Sequence, residues 1–221
     1  MHIPKLTESF KAILDGVRHF QDNLFEADAN LFESLSEGQQ PKVLFITCSD
    51  SRIDTSLLTQ SKPGDLFIIR NAGNIVPPHG ATCGGITATI EYAVSVLNVE
   101  HVVICGHSKC GAMNAVLHPE LTEKLPAVRT WLSYAEATRS VVVAKVGLEN
   151  SQAKVDLCAE ENVMVQLTHL RTLPSVAAKL SMGELSLHGW MYHFETGLVT
   201  AFDPAQECFR SLDEVYNLAT V

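Results

Sequence analysis

The 221-residue chain has no apolar run approaching the roughly 18–20 residues needed to span a bilayer. Its candidates, such as Val102 to Cys105 and Val141 to Ala144, are far too short. Positive charge is also scarce, with 16 Lys and Arg against 25 Asp and Glu and a formal net charge of -9. That leaves no basic footprint for nucleic acid and gives no reason to expect an anionic membrane as partner. The opening Met1-His2-Ile3-Pro4-Lys5 lacks a charged segment followed by an apolar one, so no secretory signal is expected. Six cysteines without an export signal read as free thiols or metal ligands rather than a disulfide frame. A reducing cytoplasm is the expected setting, although a processed organellar protein would look the same. There is no internal repeat, low-complexity tract or linker. At 46% hydrophobic and 19% charged residues, one α/β domain over 1–221 with a real core is the economical reading.

Residues 5–36 carry a helical pattern, with Leu6, Phe10, Ile13, Leu14, Val17 and Phe20 at three- and four-residue steps. A second short piece holds Leu31, Phe32 and Leu35 and ends near Gly38. This arm, 1–38, has large apolar groups and no sequence neighbour to cover them, so it wraps its own domain or clasps a partner subunit. In the core, 39–221, the continuous apolar runs Val43–Ile46, Leu66–Ile69 and Val102–Cys105 predict strands buried on both faces. A helix is expected between them at about 85–97, and strands alternating with helices imply a parallel sheet. Further helices are expected around 126–140, 151–171 and 174–182, broken by Pro174. Residues 185–194 and 198–202 read as a terminal hairpin. The expected fold is therefore a mainly parallel sheet with an antiparallel edge strand, flanked by helices.

Two segments follow predicted buried strands immediately: Cys48-Ser49-Asp50-Ser51-Arg52 and Gly106-His107-Ser108-Lys109-Cys110-Gly111. Open parallel sheets bind ligands outside the carboxyl ends of their strands, so both segments can face one small volume. Zinc takes thiolate and imidazole ligands, and catalytic sites leave one of four positions open. His107 and Cys110, three apart, are expected to approach one ion from the first turn of a helix, whose end favours the Cys110 thiolate. Cys48 would complete the set. Asp50 beside Arg52 is expected to stay ionised through charge-assisted hydrogen bonds. It would then accept a proton from a zinc-bound hydroxide in an open site. Released by Arg52, it could instead become a fourth ligand in a closed one. The sequence leaves both forms open.

The pair C-S-D-S-R and G-H-S-x-C-G resembles the signature of the β-class carbonic anhydrases, in the plant and cyanobacterial branch and its bacterial relatives. Further matches are Gln39-Gln40-Pro41, Pro63-Gly64-Asp65-Leu66-Phe67, Arg70-Asn71-Ala72-Gly73-Asn74, Glu91-Tyr92-Ala93 and Leu187-His188-Gly189-Trp190. The resemblance implies one Zn2+ per chain on Cys48, His107 and Cys110, and reversible hydration of carbon dioxide to bicarbonate. It places Asp50 and Arg52 as the catalytic dyad that orients the hydroxide nucleophile. It has Gln39 entering the site across a dimer interface, Phe67 and Tyr92 lining an apolar pocket, and Ala72 and Gly111 leaving room. A homodimer at minimum, or a tetramer or octamer, is implied. Carbon disulfide hydrolases share the ligand signature and form a second enzyme reading. A zinc-stabilised scaffold is the non-enzyme reading, and it has no need for the Asp50–Arg52 pair.

For Cys105, Cys158 and Cys208 the expected role is that of small buried hydrophobes. Cys83 is expected in a structural loop. His2, His19, His101, His118 and His169 read as surface or helix residues, and His79 as a solvated loop residue. His188 and His193 fall on a predicted strand and should be satisfied by local hydrogen bonds. Arg70 and Asn71 are expected to support a loop rather than act.

Overall fold

The computed structural model describes residues 6–81, 84–147 and 151–218. The chain divides into two compact units between Gln39 and Gln40. The first unit is helical: α1 (Glu8–His19), a wide turn Phe20–Leu24, α2 (Phe25–Ala27) and α3 (Ala29–Ser36). Thr7 caps α1 by accepting from the Phe10 N–H, which satisfies one of the orphan donors of the first turn. Phe25 stacks on Phe32 at 4.8 Å, and Phe20 meets both rings edge-on. Phe10, Ile13 and Val17, which the periodicity places along one side, are all exposed within the single chain.

The second unit runs β1 (Val43–Cys48), α4 (Thr55–Thr59), β2 (Leu66–Asn71), α5 (Gly85–Ser95), β3 (His101–His107) and α6 (Gly111–Leu117). It continues through α7 (Pro126–Leu132), α8 (Glu136–Val146), α9 (Gln152–Thr172), α10 (Pro174–Ser181), β4 (Ser186–Tyr192), β5 (Val199–Asp203), β6 (Cys208–Ser211) and α11 (Leu212–Tyr216). The sheet order is β2-β1-β3-β4-β5-β6. The first four strands are parallel, and β5 and β6 add on antiparallel. β5 therefore runs against the other strands, and β6 pairs beyond it at the edge. The helix expected over 126–140 is interrupted by a tight turn at Ser133–Ala135. No described helix is long and apolar enough to cross a membrane.

The period-two alternation of strands explains the layering. Leu44, Ile46, Val102 and Ile104 face the larger core, shared with residues of α5, α6 and α9. Phe45, Val103 and Cys105 form a smaller core with Trp190 and Tyr192. Each fully buried Leu or Ile contributes about 1.5–3 kcal/mol relative to exposure. Glycine sets how closely α9 approaches. A Cβ on Gly106 would lie 2.8 Å from Val163 and one on Gly189 would lie 2.8 Å from the same side chain. The chain begins its sheet at β1, leaves to β2 on one side, then returns to β3 on the other. The carboxyl ends of β1 and β3 thus flank a topological switch point, where open α/β sheets bind ligands.

Candidate metal centre

Cys48 is the last residue of β1 and His107 the last residue of β3, on directly paired strands. Cys110 is the N-cap residue of α6. His107 and Cys110 therefore flank a strand-to-helix turn, instead of sharing the first turn of a helix as the spacing suggested. Lys109, with φ +54°, makes that turn in the left-handed region, and its backbone N–H donates to Asp156 at 2.7 Å. The ligand atoms of Cys48, His107 and Cys110 lie within 4.8 Å of one another, and all three residues are buried.

The imidazole is prepared for a cation. Its Nδ1 is 2.8 Å from the Ser108 carbonyl, which can only accept, so the ring proton sits on Nδ1. Nε2 is left as a bare lone pair, buried and without a hydrogen-bond partner. Such an orphan costs about 1–3 kcal/mol unless something binds it. The thiols point the same way. A hydrogen bond from Cys110 holds Cys48 down at about 4 against the effect of burial, assisted by the Gly73 and Asp50 backbone. The same contact, with burial, pushes Cys110 well up, opposing the helix end that was expected to favour its thiolate. One proton is shared by two sulfurs that a divalent cation would strip completely. Two thiols and one imidazole lone pair, buried together, fit a zinc ion.

Beside this cluster, Asp50 and Arg52 form a fork. Arg52 donates from Nε to Oδ1 at 2.9 Å and from Nη2 to Oδ2 at 2.7 Å, and its backbone N–H reaches Oδ1 at 3.0 Å. The guanidinium hydrogen bonds hold the Asp50 carboxyl well below the ordinary carboxylate range. Asp50 is thus ionised, tied to Arg52, and not a member of the metal-binding group. Arg70 supports the same loop, donating to the carbonyls of Cys48 at 3.1 Å and Asp50 at 2.7 Å. Asn71 clamps the next turn through both polar atoms to the Ile75 backbone.

A family model described as carbonic anhydrase matches residues 43–199. The chain is 49% identical over 202 residues to a carbonic anhydrase of Pseudomonas aeruginosa, covering 91% of each sequence. It is 46% identical over 192 residues to a carbonic anhydrase of Synechocystis, covering 86% of this chain and 70% of that one. The solved structure of the β-carbonic anhydrase CcaA matches with a TM-score of 0.90 at 44% identity, over 92% of this chain and all of that one. This chain belongs to the β-class carbonic anhydrases.

In this carbonic anhydrase the expected pocket residues fall in three places. Ala72 adjoins Gly73, whose N–H points to the Cys48 sulfur at 3.4 Å. Gly111 follows Cys110 directly, and a Cβ there would meet nothing within 4 Å, so its surroundings are open. Phe67 and Tyr92 are neighbours, with ring centroids 6.2 Å apart, but they lie elsewhere on the chain. Phe67 pairs with Leu44, four residues before the Cys48–Asn71 level, which is roughly 13 Å along the strand. Tyr92 is 46% exposed. Gln39 is exposed at the end of the first unit.

Several residues that hold the carbonic anhydrase site together escaped the sequence reading. Asn162 of α9 donates to the Gly73 carbonyl at 2.9 Å and accepts from Gln166, whose Oε1 takes the Val76 N–H. Trp131 donates to the Ala72 carbonyl. Phe194 and Glu195, in the β4–β5 turn, contact Ser108. Of the cysteines expected as buried hydrophobes, Cys105 and Cys158 are buried, and burial pushes both thiols up to about 12. Cys208 is exposed, because it lies on the edge strand β6. His101 begins β3 and faces His188, and His169 is half-buried against the Val76 carbonyl. His118 lies within reach of Glu120. Cys83 and His2 lie outside the described residues.

Proposed function

We propose that this chain hydrates carbon dioxide reversibly to bicarbonate and a proton, using one zinc ion held by Cys48, His107 and Cys110. The observation that carries the reading is the buried, partnerless Nε2 of His107 facing two thiols, beside a carboxylate that is tied up elsewhere. Zinc supplies Lewis acidity, which makes water a nucleophile near neutral pH. The remaining work falls to the chain. Cys48 and Cys110 would hold the cation as thiolates, their protons released to solvent as it binds. Ser108 fixes the His107 tautomer. Asp50, ionised by Arg52, accepts the hydrogen of the attacking oxygen and so aims a lone pair at the carbon of the substrate. Its engagement with Arg52 favours the open form over one in which Asp50 closes the fourth position.

Phe67 lies roughly 13 Å along its strand from the level of Cys48, with Tyr92 beside it, which supports a pocket apart from the cluster of their own subunit. We therefore assign them, with Gln39, to the site of a second copy. The minimum functional assembly is then a homodimer with shared sites, with the exposed apolar side of α1 covered by the partner. A solved structure of tetrameric β-carbonic anhydrases from Sordaria macrospora, 27% identical with a TM-score of 0.78, supports assembly in general. Free cysteines suit a reducing compartment, and we place the chain in the cytoplasm.

The test is the variant Asp50→Asn, which keeps shape and removes the proton acceptor. It should retain one zinc per chain and lose about 100-fold or more in kcat for hydration. An unchanged rate with zinc bound would sink the dyad reading.

A further inference from the structure

We propose that Phe194 is the positioning residue for Arg52, its ring serving as the platform that keeps the guanidinium in register with Asp50. This rests on the dyad reading above. The guanidinium carbon lies 4.2 Å from the centroid of the Phe194 ring, inside the range of a cation–π contact. Asp50 holds the edge of the guanidinium, and the Lys109 carbonyl accepts from Nη2 at 3.3 Å. Among the described residues, Phe194 supplies the aromatic ring that addresses its face.

The platform is itself anchored to the metal-binding turn. The Phe194 N–H donates to Ser108 Oγ at 2.9 Å, and that hydroxyl donates to Glu195 at 2.8 Å. Glu195 pairs with Lys109 Nζ at 2.9 Å. The ring also lies 5.0 Å from His107 and meets Tyr192 edge-on at 5.1 Å. The β4–β5 turn thus links a metal ligand on one side to the dyad on the other.

The platform matters because the Arg52 side chain is 49% exposed. Arg52 hydrogen bonds made at such exposure compete with water, even though the bidentate fork to the less exposed Asp50 holds better than an open ion pair. One stacking contact on the open face of the guanidinium then adds to the ratio of paired to released Asp50. Loss of an exposed cation–π contact corresponds to about a two- to fivefold change in that ratio.

The experiment compares Phe194→Leu, which keeps apolar bulk without a π face, with Phe194→Tyr, which keeps the face. Both are made in the full-length zinc protein. Phe194→Leu should lower kcat by up to about two- to fivefold with KM and zinc content unchanged, and Phe194→Tyr should recover most of the rate. Independently of activity, the protein carries 15N-arginine at its seven arginines. The Arg52 Nε–H resonance, identified by its absence in Arg52→Lys, should be ring-shifted in wild type and Phe194→Tyr and relaxed in Phe194→Leu. Equal rates and an unmoved resonance in Phe194→Leu would overturn the assignment. So would equal losses in both variants, or loss of zinc from Phe194→Leu, which would place the role of the ring at His107. If Asp50→Asn is also silent, the dyad reading itself fails; if only Phe194→Leu is silent, the stacking assignment fails alone.

Discussion

Replacing Asn162 by leucine removes the polar link between α9 and the loop that backs the Cys48–His107–Cys110 group, while keeping the same branched side-chain skeleton. Asn162, Gln166 and Thr138 are all fully buried. The substitution leaves the Gly73 carbonyl without its 2.9 Å donor and Gln166 Nε2 without its 2.9 Å acceptor. Water does not reach either group freely. Each orphaned group costs about 1–3 kcal/mol, so the expected loss is about 2–6 kcal/mol. The 3.4 Å contact from Thr138 is too long to add much. The assay is urea unfolding followed by circular dichroism, at one protein concentration because assembly would contribute to stability. Gly73 also directs its N–H at the Cys48 sulfur, so zinc transfer to a chelator should be faster in the variant. A loss below about 1 kcal/mol would refute the view that this network carries the loop.

Further outcomes are expected. His107→Ala should leave two thiols and no imidazole, and metal analysis should find zinc well below one per chain. Gly189→Ala places a methyl group 2.8 Å from Val163 and 3.0 Å from Leu167, and overpacking there should cost about 1–3 kcal/mol in the same unfolding assay. Burial, then the neighbouring His101, holds the His188 ring below 6.5. The unfolded chain therefore binds a proton on falling through 6.5 while the folded one waits until lower pH, so stability drops as pH falls below 6.5. His188→Gln should flatten that part of the stability–pH curve, and an unchanged slope would show that the ring is not desolvated.

The parallel strands β1 and β3 were legible because each is a continuous apolar run buried on both faces. β2 carries the same kind of run but lies at the sheet edge with Ile68 exposed, against the expectation of full burial, and β4 is parallel although its sequence is mixed. The group of Cys48, His107 and Cys110 was legible for a related reason: both segments follow such runs directly, so the sheet itself delivers them to one place. What stayed hidden came from far along the chain. Asn162 is 89 residues from the carbonyl it serves, and in sequence it reads as one more polar residue in a helix. Phe194 and Glu195 sit in a turn whose composition signals only a hairpin. The strand β6 is four residues long and mixed in character, too short for alternation to register. The break at Ser133–Ala135 is a change of hydrogen-bond step that apolar spacing does not record. The opposing fates of the two thiols required knowing that they touch.

The most direct test is stopped-flow hydration of carbon dioxide from about pH 6.5 to 9, using protein stripped of metal and restored with zinc. Two thiolates donate more charge than imidazoles, so the nucleophile should form at higher pH than at an all-imidazole site. The account predicts no catalysis without metal, and fast turnover that climbs above neutrality once zinc is restored. Protein holding one zinc per chain on Cys48, His107 and Cys110 yet inert at every pH would contradict it.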